Sequence, residues 1–431
     1  MTSQTQTHIW HPCVALPAQE TVPPLNIVRA EGNYMHTQDG RQIFDAISSW
    51  WCKNLGHGHQ RLKQAAMEQI QRFEHTLFAN TTHDVTINLA QKLCSFNPKF
   101  EKVFFASDGA SAIECAIKLS LHHRFLTEDV TRKHFISLQH AYHGETLGAL
   151  SLGDLANFKK PYEDCCFKPR VINNIPYVTS KDDPLWHDCG EQWTVIESKL
   201  SEIADTVTAV IVEPLVQGSG GMKVYSADFL GRLYNFAKAN DIHVIADEVM
   251  TGFGRLGKMF ACEHADITPD LLCVGKGLTA GYMPMSAVIV NRDVLEPFMQ
   301  TERYDRSFLH SHTYGGHALA AAVANAAISV IENYNLCAQT AKREDTLREA
   351  FKAVGRETGL FSEVRALGGI VAADIANAPD SLTIQKVGYE NGILLRPLGR
   401  TLYWAPPLNI NENDIQTLQE LTIATLRSVS S

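Results

Sequence analysis

Between residues 100 and 290 the chain carries a series of short apolar runs in which consecutive positions, not alternate ones, are hydrophobic. They are Val103-Phe104-Phe105-Ala106, Phe135-Ile136-Ser137-Leu138, Ala209-Val210-Ile211-Val212, His243-Val244-Ile245-Ala246, Leu271-Leu272-Cys273-Val274 and Ala287-Val288-Ile289-Val290. A strand with one wet face alternates, whereas a strand apolar throughout has both faces covered. Between the runs apolar residues return at helical spacing. From Ala112 to Phe125, for example, Ile113, Ala116, Ile117 and Ser120 share one face. Strands alternating with helices predict a mostly parallel sheet flanked by helices, an α/β architecture.

The two ends have a different texture. Residues 1–60 mix a polar arm with the segment Phe44 to Trp51, and a long helical stretch is expected from Ala318 to about residue 355. Short strand candidates follow at Val364–Ala373 and Gly392–Trp404, then a terminal helix from Glu412 to Leu426. The expected division is a large domain over 61–325 and a small α+β domain built from both termini. Residues 1–60 join that small domain, and residues 326–431 supply the rest.

The 431 residues are 45% hydrophobic and 20% charged, enough to bury a large core and unlike a disordered or disulfide-scaffold chain. A formal net charge of −9, without a lysine/arginine run, argues against a nucleic-acid or membrane-surface binder. The start lacks a basic cluster followed by an apolar stretch, so no signal peptide is expected. Ala318 to Ile331 is too short and too interrupted to span a membrane. Ten scattered cysteines without a Cys-x-x-Cys pair suggest free thiols in a cytoplasmic protein. Cys262-Glu263-His264 and His310-Ser311-His312 each lack a second ligand pair at zinc-site spacing, so no metal is expected.

Three places carry candidate chemistry. Asp247 ends the run Val244-Ile245-Ala246, and ligands in open α/β sheets lie beyond the carboxyl ends of strands. Its carboxylate either faces a ligand there or caps the following turn. Lys276 follows a buried strand between Gly275 and Gly277. Desolvation favours a neutral, nucleophilic amine, while the ordinary alternative is a solvated loop lysine. Ser107-Asp108-Gly109-Ala110-Ser111 joins a strand to a helix, where backbone amides can hold phosphate. Gly218-Ser219-Gly220-Gly221 reads as a turn. A phosphate anchor, an acid for a pyridine nitrogen and an amine for an aldehyde are what pyridoxal 5′-phosphate requires.

Ala246-Asp247-Glu248-Val249-Met250-Thr251-Gly252-Phe253-Gly254-Arg255, followed by Gly275-Lys276, resembles the signature of fold-type I, class III aminotransferases. Within that class the resemblance narrows to the adenosylmethionine–8-amino-7-oxononanoate aminotransferases of biotin biosynthesis. It is carried by His8-Ile9-Trp10-His11-Pro12, Ser48-Ser49-Trp50-Trp51, Ala141-Tyr142-His143-Gly144, Gly257 to His264 and Arg396-Pro397.

The resemblance implies a seven-stranded, mostly parallel sheet, pyridoxal 5′-phosphate as cofactor, and a homodimer with active sites at the subunit interface. Lys276 would hold the cofactor as a Schiff base and then act as the base of a ping-pong reaction. Asp247 would pair with the pyridine nitrogen, and Tyr142 would stack on the ring and shape the substrate pocket. Gly109 and Ala110 would hold the phosphate, with His312 and Thr313 completing that site from the second subunit. Trp50, Arg396 and Tyr403 would receive the acceptor, whose apolar chain ends in a carboxylate, with Ser311 nearby.

Departures bear on the substrates. Cys13 stands where the family has a tyrosine, Ser311-His312 replaces a Gly-Pro, and Glu145 replaces an aspartate. The phosphate turn reads Asp-Gly-Ala-Ser instead of Ser-Gly-Ser. S-Adenosylmethionine is the expected donor. Lysine as donor, or a broader ω-amino-acid or diamine specificity, is the alternative.

Overall fold

The computed structural model describes residues 8–17, 22–300, 302–377 and 379–430. At its centre is a seven-stranded sheet. In chain order its strands are β1 (Phe100–Ala106), β2 (His134–Leu138), β3 (Arg170–Ile172), β4 (Val207–Val212), β5 (His243–Asp247), β6 (Leu271–Val274) and β7 (Ser286–Asn291). In space the order is β1-β7-β6-β5-β4-β2-β3. Only β7 is reversed, running antiparallel to both β6 and β1. Six of the strands are the predicted apolar runs. The seventh, β3, is a three-residue edge strand whose first residue is exposed, so it left no apolar run to read.

Alternate residues of these strands enter two separate apolar clusters. Val210, Val244 and Leu272 lie in one; Ala209, Ile211, Ile245 and Leu271 lie in the other. The uninterrupted hydrophobicity is thereby explained: each strand buries both faces. One cover is the helix Gly109–Leu126, which packs on β6 and β7. The helix Ala318–Asn333 packs instead against Gln60–Ile70 and Asp84–Ser95.

The single long helix expected after Ala318 is two, Ala318–Asn333 and Leu336–Thr358. Asn335, with φ of 50°, breaks it; asparagine is among the few residues that accept the left-handed region readily. Near the termini, Ile393–Leu394 pairs in parallel with Phe44–Asp45 and so ties the C-terminal part to the N-terminal sheet. A second small sheet holds Arg365–Leu367, Ile370–Asp374 and Thr401–Trp404. Gly218 to Gly221 form the turn between Val216–Gln217 and Lys223–Tyr225, as read.

Candidate active site

Because β1, β2, β4, β5 and β6 point the same way, the segments leaving them converge on one edge of the sheet. There they surround a cavity of about 590 Å³ lined by Gly109, Ala110, Tyr142, Asp247, Lys276 and Trp50, with His143, Glu213 and Trp51. It adjoins an outer groove of about 1000 Å³, which Cys13 and Arg396 help to line.

Asp247 is the last residue of β5 and is buried. Its Oδ1 accepts from the Val249 amide at 3.2 Å, and its Oδ2 lies 2.8 Å from His143 Nδ1. An Asp–imidazole contact of this kind fixes the orientation of the carboxylate. Lys276 follows Gly275 with a φ of 40°, an unfavourable conformation for a side-chain-bearing residue. Its Nζ is 5.1 Å from the Trp51 ring centroid. Burial lowers the pKa of this amine, while the nearby Asp247 and Glu213 charges oppose the shift. The structure thus places the lysine half-buried in the cavity wall, where desolvation favours the neutral amine.

Glu213 follows β4 and is buried. It accepts from the Tyr142 amide through Oε1 and from the Gly218 amide through Oε2, each at 2.9 Å. Burial raises its pKa to about 7. An acid raised on folding binds more protons folded than unfolded, so its contribution falls as pH rises from the unfolded value toward 7. Glu213→Gln, which keeps the size and one acceptor oxygen but loses the titrating carboxyl, should therefore lower the apoprotein's melting temperature at acid pH and flatten its decline between about pH 5 and 7. An unchanged slope would show that Glu213 does not set it.

The turn read in the sequence as a phosphate anchor lies where β1 leads into the helix Gly109–Leu126. The Asp108 carboxylate caps that helix, accepting from the Ser111 amide at 2.9 Å. The Gly109 and Ala110 amides come before any intrahelical acceptor and remain as donors at the positive end of the helix. A Cβ on Gly109 would lie 2.8 Å from Val249 Cγ1, so only glycine allows the turn to approach the floor this closely.

On the opposite wall, Ser48 to Trp51 form one left-handed turn, with φ values of 50°, 44°, 68° and 69°. Such backbone costs about 1–2 kcal/mol per residue. It sets Trp50 against the Arg396 guanidinium, 4.0 Å from ring centroid to the central carbon. Trp51 turns inward and donates its indole N–H to the Tyr403 hydroxyl at 3.0 Å. Tyr403 is itself buried behind Trp51 and does not line the cavity.

Ser311, His312 and Thr313 do not line the cavity of their own chain either. His312 Nε2 instead lies 3.1 Å from His310 Nε2 and 3.8 Å from Cys115 Sγ. Lys118 Nζ, 2.8 Å from His310 Nδ1, donates to that nitrogen and leaves Nε2–H to point at His312. This makes the group a hydrogen-bonded chain.

The aminotransferase class III family profile matches residues 15–426. The chain belongs to this family. Among curated relatives, the adenosylmethionine-8-amino-7-oxononanoate aminotransferase of Helicobacter pylori is 36% identical over 95% of this chain and 93% of its own. The enzyme of the same name from Synechococcus elongatus is 33% identical over 95% and 96%. Among solved structures, that from Methanocaldococcus jannaschii superposes with a TM-score of 0.89 at 29% identity, covering 98% of this chain and 97% of that one. An amine transaminase from an uncultivated Pseudomonas species, in its PLP-bound form, reaches the same TM-score at 28% identity over 98% of both. The backbone therefore identifies the class, and the substrates must be read from side chains.

The cofactor of this class III aminotransferase is pyridoxal 5′-phosphate, and the residues present fit it. Amide donors stand at a helix N-terminus, a braced carboxylate stands at the end of β5, and a desolvated amine stands at the end of β6. Six site residues singled out in the sequence, Trp50, Gly109, Ala110, Tyr142, Asp247 and Lys276, are brought together here. His143, Glu213 and Trp51 were missed. Glu213 had the same signal as Asp247, an acid just past a buried strand.

Proposed function

We propose that this enzyme transfers the amino group of S-adenosylmethionine to 8-amino-7-oxononanoate, giving 7,8-diaminononanoate, in a ping-pong reaction. The observation that carries the reading is the Arg396 guanidinium held on the Trp50 ring beside an apolar wall that leads to Lys276. That arrangement suits an apolar chain ending in a carboxylate. The names of the curated relatives support the same substrates.

Bound here, pyridoxal phosphate supplies an electrophilic carbon and a sink for the electron pair left when the substrate Cα proton departs. Lys276 Nζ takes and returns that proton, its amine favoured in the neutral form by burial. Asp247, oriented by His143, is the charged partner for the ring nitrogen. Gly109 and Ala110 hold the phosphate, and Tyr142 closes one face. Trp50 and Arg396 take the chain and carboxylate of the acceptor, Cys13 lies at the mouth, and Tyr403 acts through Trp51.

Single-turnover absorbance tests the donor and acceptor. S-Adenosylmethionine alone should convert the cofactor band, and the oxo acid should restore it. Conversion by lysine and not by S-adenosylmethionine would change the donor; conversion by assorted ω-amino acids would favour the broader specificity. Arg396→Ala should raise KM for the oxo acid by about 10-fold or more and leave the donor's nearly unchanged. Equal effects on both would remove Arg396 from carboxylate binding.

We also propose a homodimer in which Ser311, His312 and Thr313 complete the partner's site, since they stand away from their own cavity. Light scattering should give a dimer, and a fully active monomer would contradict this. The pairing of Phe44–Asp45 with Ile393–Leu394 supports a small domain of 1–60 and 326–431 beside a large domain of 61–325. No helix among the described residues is long and apolar enough to cross a membrane. The free thiols support a cytoplasmic setting, which cell fractionation would check.

A further inference from the structure

We propose that Asp45, braced by His57, is a positioning residue for the substrate wall: its carboxylate holds the Ser48–Trp51 turn left-handed and so sets where Trp50 and Trp51 stand. The proposal rests on the reading that these two rings form that wall.

Four consecutive left-handed residues, none of them glycine and two of them tryptophan, do not persist unless the surroundings over-determine them. The backbone bonds of the turn are local, Trp51 N–H to the Ile47 carbonyl at 2.9 Å and Cys52 N–H to the Ser48 carbonyl at 3.0 Å. A right-handed turn would offer bonds of the same kind, so these do not choose the hand. The choice must come from side chains that grip the turn from outside.

Asp45 supplies that grip. It is the last residue of the strand Gln42–Asp45 and is 2% exposed. Its Oδ2 accepts from Ser49 Oγ at 2.7 Å, inside the turn, and its Oδ1 accepts from the Ile47 amide at 3.3 Å, just before it. His57 Nε2 meets the same Oδ2 at 2.8 Å. His57 is fixed in turn, exchanging both backbone hydrogen bonds with Gly32, at 2.7 and 3.0 Å. The carboxylate thus ties the turn to the sheet from one side. From the other, Ser48 Oγ donates to the Ala405 carbonyl at 2.7 Å and Trp51 Nε1 donates to Tyr403. Asp45 and His57 line neither the cavity nor the groove, so any effect they have on substrate passes through Trp50 and Trp51.

The test compares Asp45→Ala with the wild-type holoenzyme by crystal structure, cofactor content and steady-state kinetics. The expected result is a turn that relaxes to negative φ at Ser49 and Trp50, with cofactor content and absorbance spectrum retained. KM for both substrates should rise by about 10- to 100-fold, the scale on which small misplacements act. His57→Gln, which keeps a donor toward the carboxylate, should restore KM relative to His57→Ala. A left-handed turn unchanged in Asp45→Ala would overturn the proposal, as would loss of cofactor in proportion to activity. Should Asp45→Ala fail to fold, Ser49→Ala removes the contact inside the turn and carries the same two outcomes. Inactivity of the wild type toward the two named substrates would sink the substrate reading alone, because the crystal structure and cofactor content of the variant decide the role of Asp45 without them.

Discussion

Lys276→Ala should lower kcat by about 10⁴-fold or more while the protein still binds its cofactor. The side chain follows β6 and is half-buried in the cavity wall, with its amine 5.1 Å from the Trp51 ring centroid and its charge coupled to those of Asp247 and Glu213. Truncation deletes the proposed nucleophile, which is the one lysine amine among the described residues lining the cavity. General-base catalysis alone is worth about 10²–10⁴-fold, and the loss of covalent assistance adds to it. Binding should survive, because the Gly109 and Ala110 amides and the Asp247 carboxylate belong to other strand ends. Cofactor content after gel filtration, measured beside steady-state turnover, separates the two effects. Activity within 10-fold of wild type would refute the role of Lys276, and loss of both together would show that the lysine also anchors the group.

Asp247→Asn should lower kcat by about 10³-fold in both half-reactions. The substitution keeps shape and an acceptor for the Val249 amide, and it leaves a partner for His143. What disappears is the negative charge, in a site where burial makes charge-assisted contacts stronger than in water. Removing one preorganised electrostatic contact typically costs about 10²–10³-fold, and here the contact should tune the cofactor itself. Single-turnover rates with the donor and then with the acceptor provide the check. The same nitrogen serves both steps, so a defect confined to one of them would sink the assignment.

Much of this site was legible before the fold was known, because its parts obey local rules. A strand buried on both faces is hydrophobic at every position, and the residue after it stands at the sheet edge where ligands bind. Asp247, Lys276 and the Gly109-Ala110 turn are each such residues. The edge strand β3 escaped because three residues with an exposed first position make no pattern. The direction of β7 escaped because an apolar run reads the same in either direction.

Sequence alone determined the α/β class, the strand runs and the acid–lysine pair, since periodicity and chain position are properties of neighbouring residues. Only the tertiary structure decided which distant side chains meet. Arg396 rests on Trp50, Trp51 on Tyr403, His143 on Asp247, and Asp45 reaches Ser49 and His57. It also decided the hand of the Ser48–Trp51 turn, which no propensity of serine or tryptophan favours. These are choices of packing: a side chain on one strand end supplies the contact that makes an unfavourable conformation on another segment the stable one.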